Sequence, residues 1–366
     1  MTNPLRKSPG PGLFGFVVFL ALIIALYFPI RDIAIPATQE LWFKQVTRRL
    51  VQDARGLLPA TNTLWLGATT PELPQSLYGM YELQTTFQGK VSMVSFYQAW
   101  GDGVAHEFPE EALTNMSKAG FLPLVTWEPW LSAFAIHQGK EPDSSMALIA
   151  SGRFDAYIRS WARGAVRFGK PLFLRPAHEV SNPQYPWSPP YGNSASTYQQ
   201  FWRHVHDIFR QEGARNVLFV WTPYGLQDQA FFPGKTLVDW VGIDLFNYGG
   251  LSEQGTWLDF YTLAKLYVDQ YRGLQVPLMV TEVATSSSGG SKADWIRDMF
   301  RSLKSHELPE LQALVLFDIP SGQTSSGLPV NWGFREDSAL QRTYQPEQFE
   351  NLFSPRSPSQ NRKTHP

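Results

Sequence analysis

The sequence predicts an α/β fold, a (β/α)8 barrel of the TIM type preceded by an N-terminal transmembrane helix. Three observations carry that reading. Eight short apolar or β-branched runs alternate with helical patterns over roughly 250 residues, which is the arithmetic of such a barrel. No Gly-rich phosphate loop follows the first run (LWLGATTPELP), which counts against a doubly wound sheet, the alternative architecture. Finally, no charged residue falls between Ser8 and Ile30.

The N-terminal elements follow from that uncharged stretch. Its helical part, Leu13 to Ile30, reads LFGFVVFLALIIALYFPI. At 1.5 Å per residue it reaches roughly 27 Å, close to the hydrocarbon thickness of a bilayer. A secretory signal has a shorter apolar region and a small-residue cleavage site. Tyr27, Phe28, Pro29 and Ile30 make a poor one, so a retained anchor is expected rather than a cleaved signal. Arg6 and Lys7 precede the span, which puts the N-terminus in the cytoplasm and everything after Arg31 outside. Residues 1–30 therefore read as a cytoplasmic stub and anchor. Residues 31–60 read as a linker whose Thr38–Leu57 segment is amphipathic, with Leu41, Trp42, Val46, Leu50 and Val51 on one side, as a stalk or as a first helix packed on the barrel. The barrel is expected over 61–353, and the polar, Pro-rich 354–366 as a disordered tail.

Within the barrel, strands are expected near Leu64–Leu66, Val91–Phe96, Leu122–Thr126, Leu172–Arg175, Val217–Trp221, Trp240–Ile243, Leu278–Thr281 and Ala313–Phe317. The helices between them carry apolar stripes. In Ser196–Gly213 the stripe is Tyr198, Phe201, Trp202, Val205, Ile208 and Phe209, with Ser196 as N-cap and Gly213 as the stop. Trp295, Ile296, Met299, Phe300 and Leu303 do the same in Ser291–Leu303, and Phe154, Tyr157, Ile158 and Trp161 mark a third.

Composition narrows the function. Among 366 residues, 31 Lys and Arg stand against 32 Asp and Glu, so the basic excess that a nucleic-acid binder uses against phosphates is missing. With no cysteine, a disulfide, a thiolate metal site and a thiol nucleophile are all excluded. His204 and His206 lie two apart on a helix, face different ways and do not form a metal pair. No metal, nucleotide or other cofactor is implied. An aromatic fraction of 14%, with many Trp in loop contexts, favours a ligand with flat apolar faces such as a sugar ring.

Functional groups in such a barrel lie just past the C-terminal ends of the strands. Those positions hold Tyr97, Trp127, Glu128, His178, Glu179, Trp221, Asp244, Tyr248 and Glu282. Glu179 in LFLRPAHEV and Glu282 in PLMVTEVA stand out, because a carboxylate at the end of an apolar strand costs several kcal/mol unless it is protonated, hydrogen-bonded or paired. On the residues alone they read either as two carboxyls facing one pocket, as glycoside hydrolysis requires, or as members of ordinary ion pairs, for instance Glu179 with Arg175. Glu128, ahead of Pro129, either orients a sugar hydroxyl or caps a helix. Asp244 either meets substrate or satisfies loop amides.

The segments LPLVTWEPW, SGRFDAYIRSWA, LFLRPAHEVSNPQYPW, FWRHVHDIFRQEGARNVLFVWTPYG, PGKTLVDWVGIDLFNYG and VPLMVTEVATSSSGGSKADWI, running from about Tyr97 to Asp337, resemble glycoside hydrolase family 26, which contains β-mannanases and some β-1,3-1,4-glucanases. The resemblance implies a (β/α)8 barrel with Glu179 of AHEV as acid/base and Glu282 of VTEVA as nucleophile. It further implies that His178 supports the acid/base, that Trp127 and Glu128 are the WEP signature, and that Tyr248 hydrogen-bonds the nucleophile unless Phe246 takes that register. Arg175 is expected to hold Glu282 charged. Tyr97, Trp127, Glu128, Tyr185, Trp187, Trp221 and Asp244 are the expected sugar contacts. Where the family often has HEMNG, this chain has HEVSN, with Ser181 in the Asn place and no Gly.

The expected activity is that of a retaining endo-β-glycanase on β-1,4-type linkages in mannan, mixed-linkage glucan or an exopolysaccharide. It would be tethered to the cytoplasmic membrane as a single-pass protein with its catalytic domain on the extracytoplasmic side. A retaining enzyme would hold the two carboxyls about 5–5.5 Å apart. The alternative is a catalytically silent, membrane-tethered polysaccharide-binding protein on the same barrel, whose signature would be loss of one carboxylate.

Overall fold

The computed structural model describes residues 63–252, 255–324, 327–335, 344–345, 349 and 351–353. Eight parallel strands close into a barrel in chain order. They are β1 (Trp65–Thr69), β2 (Val91–Ala99), β3 (Leu122–Glu128), β4 (Leu172–Pro176), β5 (Val217–Trp221), β6 (Trp240–Asn247), β7 (Leu278–Thr285) and β8 (Leu311–Phe317). Pairing of β8 with β1 leaves no free edge. All eight expected strands are present. The difference is at their far ends: β6 and β7 run about four residues longer than their apolar runs, so Asp244 and Glu282 lie within strands rather than after them.

The described helices are α1 (Tyr78–Thr86), α2 (Glu110–Lys118), α3 (Ser145–Ala150), α4 (Asp155–Phe168), α5 (Ala195–Gln211), α6 (Phe260–Tyr271) and α7 (Lys292–Lys304). Every stripe residue expected for α5 and α7 is buried. The cap of α5 is Ser194, whose hydroxyl accepts from the Thr197 amide at 3.2 Å, rather than Ser196. Between β5 and β6 only a short 3-10 turn, Asp228–Phe231, stands where a full helix was expected.

Side chains inside the barrel change character along each strand. A buried apolar cluster of Trp65, Met93, Leu122, Leu124, Phe173, Leu218, Val220, Trp240, Met279 and Ala313 fills the lower interior. One or two pleats on, the same faces carry Tyr97, Thr126, Glu128, Arg175 and Asp244. Gly242 lies at the changeover, where a Cβ would come within 2.6 Å of the Thr222 hydroxyl and 2.7 Å of that of Thr281. The barrel can therefore narrow here only around a glycine.

Among the described residues no helix is long and apolar enough to cross a membrane. The expected anchor, the amphipathic segment 38–57 and the tail 354–366 lie outside the described residues.

Candidate active site

Strand register assembles the site. Tyr97 on β2, Thr126 on β3 and Arg175 on β4 are lateral partners. Across the barrel a register shift after Ile243 puts Asp244 of β6 opposite Glu282 of β7. Arg175 is completely buried and spans the two groups. Its Nε donates to Thr126 Oγ1 at 2.9 Å, its Nη1 to both Asp244 oxygens at 3.0 and 3.1 Å, and its Nη2 to Glu282 Oε1. Burial alone would depress the guanidinium, but the Asp244 and Glu282 charges outweigh it and hold Arg175 well above its usual range. Thr281 Oγ1 donates to Asp244 at 2.7 Å.

Glu282 Oε1 also accepts from the Tyr97 hydroxyl at 2.5 Å. Both donors thus fall on one oxygen, and no described residue bonds Oε2. Burial, then the Glu282 charge, push the Tyr97 phenol well above its usual range, so it remains a donor. Tyr248, the expected partner of Glu282, is instead a wall residue. It lines the cleft and packs on Trp332 with ring centres 5.1 Å apart. The hydroxyl that reaches the carboxylate is that of Tyr97, one of the expected sugar contacts.

Glu179 follows β4 in a turn where both Ala177 (φ 45°) and Glu179 (φ 48°) adopt the left-handed region that side chains avoid. Such a conformation costs about 1–3 kcal/mol per residue and gathers at functional sites. The turn directs Glu179 into a cleft of about 430 Å³ that Glu282 also lines. Its Oε2 accepts from Asn182 Nδ2 at 2.7 Å. Burial first, then the charges of Asp244 and Glu282, raise the Glu179 pKa to about 8. One guanidinium already faces two carboxylates, so a further negative charge is opposed.

His178, beside Glu179, is buried. Its Nε2 lies 3.1 Å from the Tyr185 hydroxyl, and its Nδ1 is enclosed 4.0 Å from Glu128 without a hydrogen bond. Burial and the Arg175 charge keep it well below the usual histidine range, hence neutral. Glu128 lines the cleft and accepts from Trp130 Nε1 at 3.2 Å, and burial raises its pKa to about 7. Tyr185 lines the cleft and stacks on Trp187 at 4.4 Å.

Four expected sugar contacts are elsewhere. Trp127, Trp187 and Trp221 are wholly buried, so no sugar ring reaches them. Trp127 and Trp221 point outward into the helix layer, against Trp161 and Tyr271 respectively, because each follows an inward residue on its strand. Trp187 lies beneath Tyr185 and donates its Nε1 to the His178 carbonyl at 2.8 Å. Asp244 is spent on Arg175 and Thr281. Several cleft residues had no place in the sequence reading. Asn182, three residues after Glu179, was legible in principle as a side-chain partner. Trp332 was not. It follows a hairpin of two-residue strands, Gly322–Gln323 and Pro329–Val330, too short to leave a periodic signal. Among the described residues no group of acidic or histidine side chains could hold a metal ion.

Residues 150–291, which contain both Glu179 and Glu282, match the model of glycosyl hydrolase family 26. The chain is 31% identical over 195 residues to endoglucanase H of Acetivibrio thermocellus, a match covering 50% of this chain and 20% of that protein. It is 29% identical over 135 residues to a β-1,3-xylanase of a Vibrio species, covering 34% and 28%, and 27% identical over 131 residues to a mannan endo-1,4-β-mannosidase of Bacillus subtilis, covering 34% and 33%. The matched part of the chain thus spans about a fifth to a third of these relatives. In fold it is similar to a Bacillus subtilis mannanase (TM-score 0.58, 16% identity, 84% of this chain and 91% of the other) and to a modular endo-β-1,4-mannanase of Cellulomonas fimi (0.58, 15%, 81% and 72%). By these matches residues 150–291 are similar to glycosyl hydrolase family 26, and the chain resembles glycoside hydrolases in sequence and shares the barrel fold of the mannanases.

Proposed function

We propose that this protein is a retaining endo-β-glycanase that cleaves β-1,4-type linkages in a mannan, a mixed-linkage glucan or a related exopolysaccharide by double displacement. One observation carries the reading. Two carboxyls from β4 and β7 line the same cleft in opposite electrostatic settings, Glu179 held neutral by burial and its neighbours' charges, Glu282 bonded to a guanidinium and a phenol. That asymmetry is what a general acid and a nucleophile need to share one pH.

In the first step the free Oε2 of Glu282 attacks the anomeric carbon while Glu179 gives its proton to the departing glycosidic oxygen. A bond forms between Oε2 and the sugar as the old linkage breaks. Glu179, now a carboxylate, takes a proton from water, whose oxygen displaces Glu282 and frees the sugar. Arg175 and Tyr97 fix the carboxylate with Oε1 engaged. His178 and Tyr185 form the wall beside the acid. Tethering to the membrane through residues 1–30, with the barrel outside the cytoplasm, would confine this chemistry to polymer near the bilayer.

Protein truncated before Thr38 tests the activity. It is expected to release reducing ends from at least one of mannan, mixed-linkage glucan and cellulose; release from β-1,3-xylan alone would overturn the β-1,4 reading and keep the hydrolase. Glu282→Ala should abolish that release, and azide should restore it in part by attacking the anomeric carbon in the carboxylate's place. Polysaccharide binding without release would instead support the silent binding protein. Recovery of the full-length chain in the soluble fraction of the producing cell would refute the tether.

A further inference from the structure

We propose that Tyr224 is the platform for the sugar on the leaving-group side of the scissile bond, taking the place of a contact that Ser181 does not offer. The inference rests on the hydrolase reading above. The loop after Glu179 carries Ser181, and the Ser181 hydroxyl donates to Asp228 Oδ2 at 2.8 Å, which turns it away from substrate. Asp228 is buried, and the same oxygen accepts the Tyr224 amide at 2.8 Å and the Gly225 amide at 3.1 Å. One carboxylate thus ties the acid-bearing loop to the turn after β5.

Aromatic side chains hold that turn from the other side. Tyr267 donates its hydroxyl to the Tyr224 carbonyl at 3.3 Å, and Tyr271 donates to that of Gly225. A backbone so fixed nevertheless presents an open ring. Tyr224 is 39% exposed, and no other aromatic lining the cleft is as exposed. A planar ring on a rigid turn binds a sugar face with little ordering cost.

Its side of the cleft follows from its neighbours. Asp228 joins the Tyr224 amide to Ser181, two residues past Glu179, whereas Glu282 is held on β7 by Tyr97 and Arg175. The general acid stands by the leaving oxygen, so a ring on the Glu179 side and away from the nucleophile meets the sugar that departs.

The test compares kcat/KM for an oligosaccharide with that for a 2,4-dinitrophenyl β-glycoside of the same glycone, which has no sugar on the leaving side. Mannopentaose with the mannobioside and cellopentaose with the cellobioside are the two probe pairs. Tyr224→Ala is expected to lower the oligosaccharide-to-aryl ratio about tenfold, chiefly through the oligosaccharide KM, and Tyr224→Phe, which keeps the ring, to restore most of it. If the ratio is unchanged in Tyr224→Ala while the parent enzyme cleaves both probes, the platform is refuted and the hydrolase reading stands. If the parent cleaves neither probe pair, the platform is refuted for these glycans, and the hydrolase reading falls with it only if the polysaccharides above are also left intact.

Discussion

The lower and upper halves of this barrel are built by the same strands yet hold opposite kinds of side chain. Below, Phe173 packs edge-on against Trp65 and Trp240, whose rings are themselves stacked, in a wholly apolar plug. Two residues further along β4, Arg175 is just as buried but answers two carboxylates and a threonine. Burial is the same in both layers; what differs is what it costs. The plug gains free energy from every methylene withdrawn from water. The polar layer carries a desolvation penalty that is offset only while its bonds are complete. Trimming the plug therefore costs stability alone, whereas losing one partner in the upper layer costs stability and chemistry together.

Five predictions break or sharpen that contrast. The largest concerns Glu179, the neutral carboxyl of the upper layer. Glu179→Ala should slow oligosaccharide hydrolysis about 10²–10⁴-fold, the range for a lost general acid, with a far smaller loss of the first step on a dinitrophenyl glycoside, whose leaving group needs no proton. Steady-state and burst kinetics separate the two. Next, Arg175→Met strands two buried carboxylates and should destabilise the fold by about 3–5 kcal/mol while also lowering the turnover of the folded fraction. Phe173→Ala should cost a similar ~3–5 kcal/mol, yet leave the KM of the folded fraction close to the parent value. Denaturant melts paired with kinetics distinguish the two layers.

A smaller effect is expected at Tyr97. Removing a hydrogen bond to a charged group costs about 1.5–3 kcal/mol, so Tyr97→Phe should lower kcat/KM roughly ten- to a hundredfold, and Tyr248→Phe much less. Equal losses would return the Glu282 contact to Tyr248. The mildest effect is on pH. The acid must be protonated to work, so kcat/KM should fall as pH rises through about 8. Stability should follow the same direction. Glu128 and Glu179 have folded pKa values raised to about 7 and about 8 from 4.5. Their contribution is full below pH 4.5 and is lost as pH rises through those values. Thermal melts at pH 5 and pH 9 measure it, and Glu128→Gln should flatten part of the slope.

Much of the barrel was legible because its lower layer obeys simple rules. Apolar, β-branched runs such as VLFVW and LQALVLF can only be buried strands when helices flank them, and they were found where expected. The two glutamates were legible for the opposite reason, as charges at the ends of such runs. What the sequence hid was direction. Position near a strand end nominated Trp127 and Glu128 equally, but the pleat sends one outward and the other into the cleft. Counting alternation from Leu124, Thr126 and Glu128 inward would have removed Trp127, and counting from Met93 would have put Tyr97 inside. Strand ends were also blurred. Asp244 and Glu282 sit beyond the apolar runs, where neighbouring pairing rather than local propensity keeps the chain extended. No local pattern could reveal Trp332, brought to the cleft by a hairpin, or the enclosure of Trp187 beneath Tyr185.

The division of labour between the two glutamates is tested most directly by trapping. Glu179→Ala incubated with a dinitrophenyl β-glycoside forms the glycosyl-enzyme but lacks the base to release it. Mass spectrometry of the digested protein should find one added glycosyl unit on the peptide that contains Glu282. An adduct on any other residue, or a burst of dinitrophenol with no covalent adduct, would contradict the account.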